Sequence, residues 1–186
     1  QMRAHQNGIR NTVATCGTAL TLEQANLLKN HTKRATLIFD SDSAGQAATK
    51  KGFEVLLSQG MSIEVLSLPS GHDPDSFIHQ FGPEKFLEKL KNAKPFVETY
   101  IDDVIADGDL TTPMGKIEVV NQVLPILMKI KNTIERTEWT NILTERAKVD
   151  GQALLNELKN AIKQDKTIVN EPRRKDDHPN KQNAEL

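Results

Sequence analysis

The chain of 186 residues has one cysteine, Cys16. That excludes an intramolecular disulfide and any cysteine-rich zinc site, and a lone thiol suits a reducing compartment. Aromatic residues make up only 4%, with one Trp and one Tyr. The apolar runs are a few residues long, far short of the roughly 20 that a membrane helix needs, so no membrane partner is expected. No secretory leader is expected either. Charge of one sign is also lacking: 24 Lys and Arg against 25 Asp and Glu leave a net charge of -1, which gives no global argument for a nucleic-acid partner. What remains is 37% hydrophobic and 26% charged, polar but within reach of a globular fold of one or two domains. The chain opens on Gln1 rather than Met, and a longer parent is expected.

Short β-branched runs alternate with helix-like stretches in the first 70 residues. The stretch 9–15 reads as a turn entering a short strand, and ATLIF at 35–39 and SIEVLSL at 62–68 read as buried strands of a parallel sheet. Thr21 and Gln24 form a capping-box pattern ahead of Leu22, Ala25 and Leu28. A second helix pattern, carrying Ala44, Ala47, Ala48, Phe53, Val55 and Leu56, is expected to close near Gly60. Strand and helix in alternation predict an α/β domain over 1–82. From 83 to 163 the pattern is all-helical. Pro83, Pro95 and Pro113 open helices, and Pro125 is expected to kink or divide the third. Two more follow around Trp139 and Leu154. From 164 to 186 few apolar residues remain, and a disordered linker or tail is expected.

The densest chemistry lies in LIFDSDSAGQAA, from 37 to 48. Asp40 and Asp42 follow an apolar strand, at the edge where open parallel sheets bind ligands. In extended geometry their side chains leave on the same side, and two close carboxylates repel unless a cation or protons offset them. A hard divalent cation is the natural partner, and Gly45 would permit a close approach at the start of the next helix. Helix capping by Asp42 or Ser43 is the plainer reading. A second Asp-x-Asp, Asp73 and Asp75, follows the next strand, and Asp-Pro is also an ordinary helix start. Two such pairs on successive strand ends favour a metal site over coincidence. Gly17 and Thr18, after the first expected strand, stand at the same edge. His72 is expected to be solvent-exposed, and Arg173-Arg174-Lys175 to be a solvated part of the tail.

On these residues a family resemblance rests. VATCGTALT, then LIFDSDSAGQAA, then LSLPSGHDPDSFI resemble the TOPRIM domain of bacterial DnaG-type DNA primases. The block PMGKIEVVNQVLPILMKIKNTIERTEWTNILTERAKVDGQALLNELKN resembles the helical subdomain that follows it. The resemblance implies a TOPRIM-type parallel sheet flanked by helices, lacking its first strand, then the helical subdomain. It implies Mg2+ or Mn2+ held by Asp40, Asp42, Asp73 and Asp75, with Asp40 and Asp42 catalytic. The implied activity is synthesis of short RNA primers from ribonucleoside triphosphates on a single-stranded DNA template, in a bacterial cytoplasm at the replisome.

The family's glutamate-bearing first strand, its basic template-binding part and its zinc-binding domain are expected to have no counterpart in this sequence. Zinc is therefore expected only in the parent, and this chain alone is expected to be inactive. The replicative helicase is expected to bind through a C-terminal domain also missing from this sequence. Ser41 stands where the family often has glycine. Rival readings are another TOPRIM enzyme, of nuclease or topoisomerase type, which the helical block argues against, and a non-catalytic replication module whose carboxylates cap helices.

Overall fold

The computed structural model describes residues 1–15, 20–39 and 52–170. The α/β part begins with α1 (Met2–Gln6) and α2 (Leu22–Lys29), followed by β1 (Arg34–Phe39). Thr21 and Gln24 make the expected capping box: Gln24 N donates to Thr21 Oγ1 at 3.2 Å and Thr21 N to Gln24 Oε1 at 3.0 Å. The described end of α3 (52–58) closes through Gly60, at φ +78, and leads into β2 (Ser62–Ser67).

β1 and β2 pair in parallel, in register from Arg34↔Ser62 to Phe39↔Ser67. Their side chains sort with the two-residue period of a strand. Ala35, Leu37, Ile63 and Val65 join one hydrophobic cluster, while Ile38, Leu66 and Leu68 join another. The sheet is thus covered on both faces, as parallel pairs require. The second face packs on Ala4 and Ile9 and on Phe77, Ile78 and Phe86 of α4 (Pro74–Lys91). The first runs through Phe53, stacked on Phe96 at 3.6 Å between ring centroids, into the helical block.

That block comprises α5 (Phe96–Asp107), α6 (Pro113–Lys129), α7 (Thr133–Ala147) and α8 (Gly151–Asn170). Its buried interior includes Ile101, Val123, Ile126, Leu127 and Leu143. Thr112 Oγ1 accepts from Gly115 N at 3.1 Å, Asn132 Oδ1 accepts from Ile134 N at 2.9 Å and Glu135 N at 3.2 Å, and Asp150 Oδ1 accepts from Ala153 N at 2.8 Å, so three of the helices start on side-chain caps. Among the described residues no helix is long and apolar enough to cross a membrane.

Five local expectations are corrected. The stretch 9–15 is not a strand. The Thr12 carbonyl accepts from Gln1 Nε2 at 3.4 Å and lies 2.9 Å from His5 Nε2, and the Thr15 carbonyl accepts from Gln24 Nε2 at 3.2 Å. These backbone carbonyls are engaged by side chains of Gln1, of α1 and of α2, and β-propensity alone supplies no neighbouring edge. A two-residue strand absent from the sequence reading, β3 (Lys94–Pro95), pairs antiparallel with Glu64 and Val65 of β2. α4 starts at Pro74, ahead of Pro83; Gly82 (φ 84, ψ 162) interrupts it, and Pro83 opens its second limb. α6 runs unbroken through Pro125. Pro125 and Asn121, whose carbonyl loses its intrahelical partner, are both exposed, so water can solvate that carbonyl while buried Val123, Leu124, Ile126 and Leu127 hold the helix on its other side. α8 continues to Asn170, past the expected start of the tail at 164. Extending an established helix needs one hydrogen bond per residue and no apolar face.

Candidate metal centre

The parallel register puts the ends of β1 and β2 side by side, Phe39 opposite Ser67. Asp40 follows the first end directly. The second continues through Leu68 into a loop bearing Asp73. Asp40, Asp42 and Gly45, with Gly17 and Thr18, lie outside the described residues.

The loop after β2 is fixed by local bonds. His72 N donates to the Pro69 carbonyl at 3.1 Å, closing a turn whose third residue, Gly71, has φ +82. That conformation suits glycine, which has no Cβ to clash. Asp73 is then the N-cap of α4. Ser76 N donates to Asp73 Oδ1 at 2.7 Å and Asp73 N donates to Ser76 Oγ at 3.0 Å, a reciprocal capping box. The hydrogen bond from the Ser76 amide, reinforced by its hydroxyl, holds the Asp73 carboxyl below the ordinary aspartate range. Asp75 lies in the first turn, where the helix dipole also favours negative charge. Its Oδ1 sits 2.9 Å from Arg3 Nε on α1. Arg3 Nε makes no well-aligned hydrogen bond, so the contact is chiefly an ion pair between half-exposed groups.

The second Asp-x-Asp therefore starts a helix instead of extending a strand, and Asp73 carries the capping role that its Asp-Pro sequence also allows. These bonds use Oδ1 of each carboxylate. Asp73 and Asp75 offer oxygen donors only, the chemistry that a hard cation such as Mg2+ or Mn2+ takes. Among the described residues, which exclude Asp40 and Asp42, no three His, Cys, Asp or Glu side chains converge as metal ligands.

His72 is half-buried, not exposed as expected. Its ring packs edge-on against Phe77 and Phe81 at 6.1 and 5.3 Å. Two further residues of this region escaped the sequence reading. Ser76 was available from the Asp-x-x-Ser spacing of a capping box. Arg3 had no local signal, because it meets Asp75 only through the packing of α1 on α4.

In the helical block Arg146 pairs with Glu98 at 3.0 Å and with Asp102, tying α7 to α5. The Asp103 carboxyl is pushed up by burial, with Asp102 and Asp107 adding to the shift.

Known proteins match along this same architecture. A Toprim-like family model matches residues 2–78, and a model of the DnaB-helicase binding domain of primase matches residues 100–152. The second match falls within α5–α8, inside this chain, which corrects the expectation that helicase contact lies only in a C-terminal domain missing from it. A DNA primase of Clostridium acetobutylicum is 33% identical over 150 residues, covering 81% of this chain and 25% of the relative. The crystal structure of a DNA primase domain from Pseudomonas aeruginosa superposes with a TM-score of 0.76 at 29% identity, covering 83% of this chain and 50% of that one. A DnaG primase catalytic domain bound to ssDNA gives 0.75 at 25% identity, covering 81% of this chain and 49% of that one. The chain spans about a quarter of the length of the curated relatives it matches. In the order of its elements, its sequence and its fold, the chain belongs to the bacterial DnaG-type primase family.

Proposed function

We propose that this chain forms the metal-holding and helical part of a primase catalytic core. The parent is a DNA-directed RNA polymerase that joins ribonucleoside triphosphates into short primers on single-stranded DNA, in the cytoplasm at sites of replication. The observation that carries this reading is the parallel pairing of β1 and β2, with Phe39 opposite Ser67. It sets side by side the two strand ends that precede the Asp-x-Asp pairs in the sequence. The ssDNA-bound neighbour supports the choice of template.

Asp40, Asp42, Asp73 and Asp75 would hold Mg2+ or Mn2+, with Asp40 and Asp42 closest to the chemistry. When bound, a divalent cation activates the attacking hydroxyl and offsets charge on the α-phosphate and departing pyrophosphate. The protein's own part is placement. The Asp73 cap anchors the loop, and Arg3 offsets one negative charge at Asp75, easing repulsion among the carboxylates. The replicative helicase is a second partner, and the family match at residues 100–152 supports a contact on the helical block.

Calorimetric titration of residues 1–186 with Mn2+ tests this reading. Weak saturable binding is expected, abolished by Asp40→Ala with Asp42→Ala. Unchanged heats in the double variant would make these carboxylates structural. In a primase carrying this segment, Asp42→Asn should stop template-directed oligoribonucleotide synthesis, and full activity would contradict the assignment.

A further inference from the structure

Beside the Asp73 loop, α4 and Pro69 enclose an open groove of about 360 Å³. That is within the range of about 300–1,000 Å³ typical of ligand pockets. Pro69, Phe77 and Phe81 form its apolar wall, with Lys85, Glu88 and Lys89 along the edge. Phe81 is half-buried and braced on two sides. The His72 ring meets it edge-on at 5.3 Å, and Phe77 lies tilted at 4.8 Å. Its orientation is therefore set by packing before anything binds. Lys85 Nζ stands 5.8 Å from the Phe81 centroid, inside cation–π range. Lys85 and Lys89 are both exposed and one turn apart, about 6 Å along the helix axis.

Lysines near a helix C-terminus complement its dipole, and Lys89 serves that role in the last turn of α4. Dipole complementation does not account for a braced aromatic ring between the cations and the Asp73 loop. We propose that the groove is a docking surface for single-stranded DNA, with one base against Phe81 and neighbouring phosphates on Lys85 and Lys89. Two features select this occupant. Fixed rings stack on any base, and cations at this spacing follow a phosphate backbone. Glu88 is the one acidic group on the edge, leaving it net positive. The groove also adjoins the proposed metal edge, since the segment from Pro69 to Asp73 serves both. The choice of DNA over RNA rests on the template role proposed above.

Fluorescence anisotropy of labelled oligo(dT) with residues 1–186, in EDTA, reads this surface without the metal. Phe81→Ala should weaken binding by about 5- to 150-fold, the loss expected for one stacked base. Phe81→Trp should retain it. Lys85→Gln with Lys89→Gln should flatten the slope of log affinity against log salt by about 1.4, at about 0.7 per phosphate on a single strand. The lysines are exposed, so this variant is informative even where Phe81→Ala loosens the fold. Ile134→Ala, an exposed change on α7, should alter nothing. No binding in EDTA, wild-type affinity and slope in both groove variants, or tighter binding of oligo(U) than oligo(dT) would each overturn the proposal. A flat Mn2+ titration with these DNA effects intact would remove the metal reading and leave the groove standing.

Discussion

The two faces of the β1–β2 pair rest on unequal supports. One joins a large cluster that continues through Phe53 and Phe96 into α5–α8. The other rests on a small cluster built from α1, α4 and the ends of the strands. The loop ending at Asp73 leads into α4, whose first turn carries Asp75, so both residues belong to the smaller support. Its placement depends on polar bonds of short range: the Asp73–Ser76 box, the turn at Gly71 and the Arg3–Asp75 pair. Binding loops are generally drawn from the less stable part of a fold, while the larger core sets global stability.

The strongest challenge to this contrast is a large-to-small change in each cluster. Phe53→Ala should cost about 3–5 kcal/mol in urea unfolding, spread over the whole domain. Phe86→Ala should cost up to a similar amount, but its loss of amide protection should concentrate in α1 and α4. Equal loss of protection across α5–α8 in both variants would make the two clusters one cooperative unit.

Next in size is the cap. Asp73→Ala should destabilise by about 1 kcal/mol. Because the carboxyl is held below its ordinary range, its stabilising contribution is present above the unfolded aspartate pKa of about 3.9 and is lost as pH falls through the lowered folded value. Asp73→Asn keeps a capping oxygen without the charge, so its stability should fall less steeply than wild type in that acid window. Parallel urea curves at pH 3 and 5 would contradict this. Arg146→Ala should have the smallest effect, about 0.2–1 kcal/mol and reduced by salt, because its pairs with Glu98 and Asp102 are partly exposed.

Much of the fold was legible because local chemistry and tertiary context agree. ATLIF and SIEVLSL are strands, Thr21–Gln24 is a capping box, and Gly60 takes the left-handed conformation. The misreadings arise where context decides. The stretch 9–15 has strand-like residues, but its carbonyls are engaged by side chains of Gln1 and Gln24. Pro125 is tolerated because it faces water. β3 is too short to produce a period.

At the site, Asp73 and Asp75 were found by their spacing, but that spacing is shared by a metal pair and a helix start. The structure shows the helix start. Arg3 and the burial of His72 could not be read, since each depends on α4 folding back on residues distant in the chain or on rings one and two turns further along.

The proposed function requires that this sheet edge hold a divalent cation. Thermal unfolding of residues 1–186 with Mn2+ at ten times its measured Kd reads that binding. A cation bound only by the native state should add about 1.4 kcal/mol, raising Tm by about 3–5 °C. Asp40→Ala with Asp42→Ala should remove the shift. An unchanged Tm in the wild-type chain, or an equal rise in the double variant, would contradict the account.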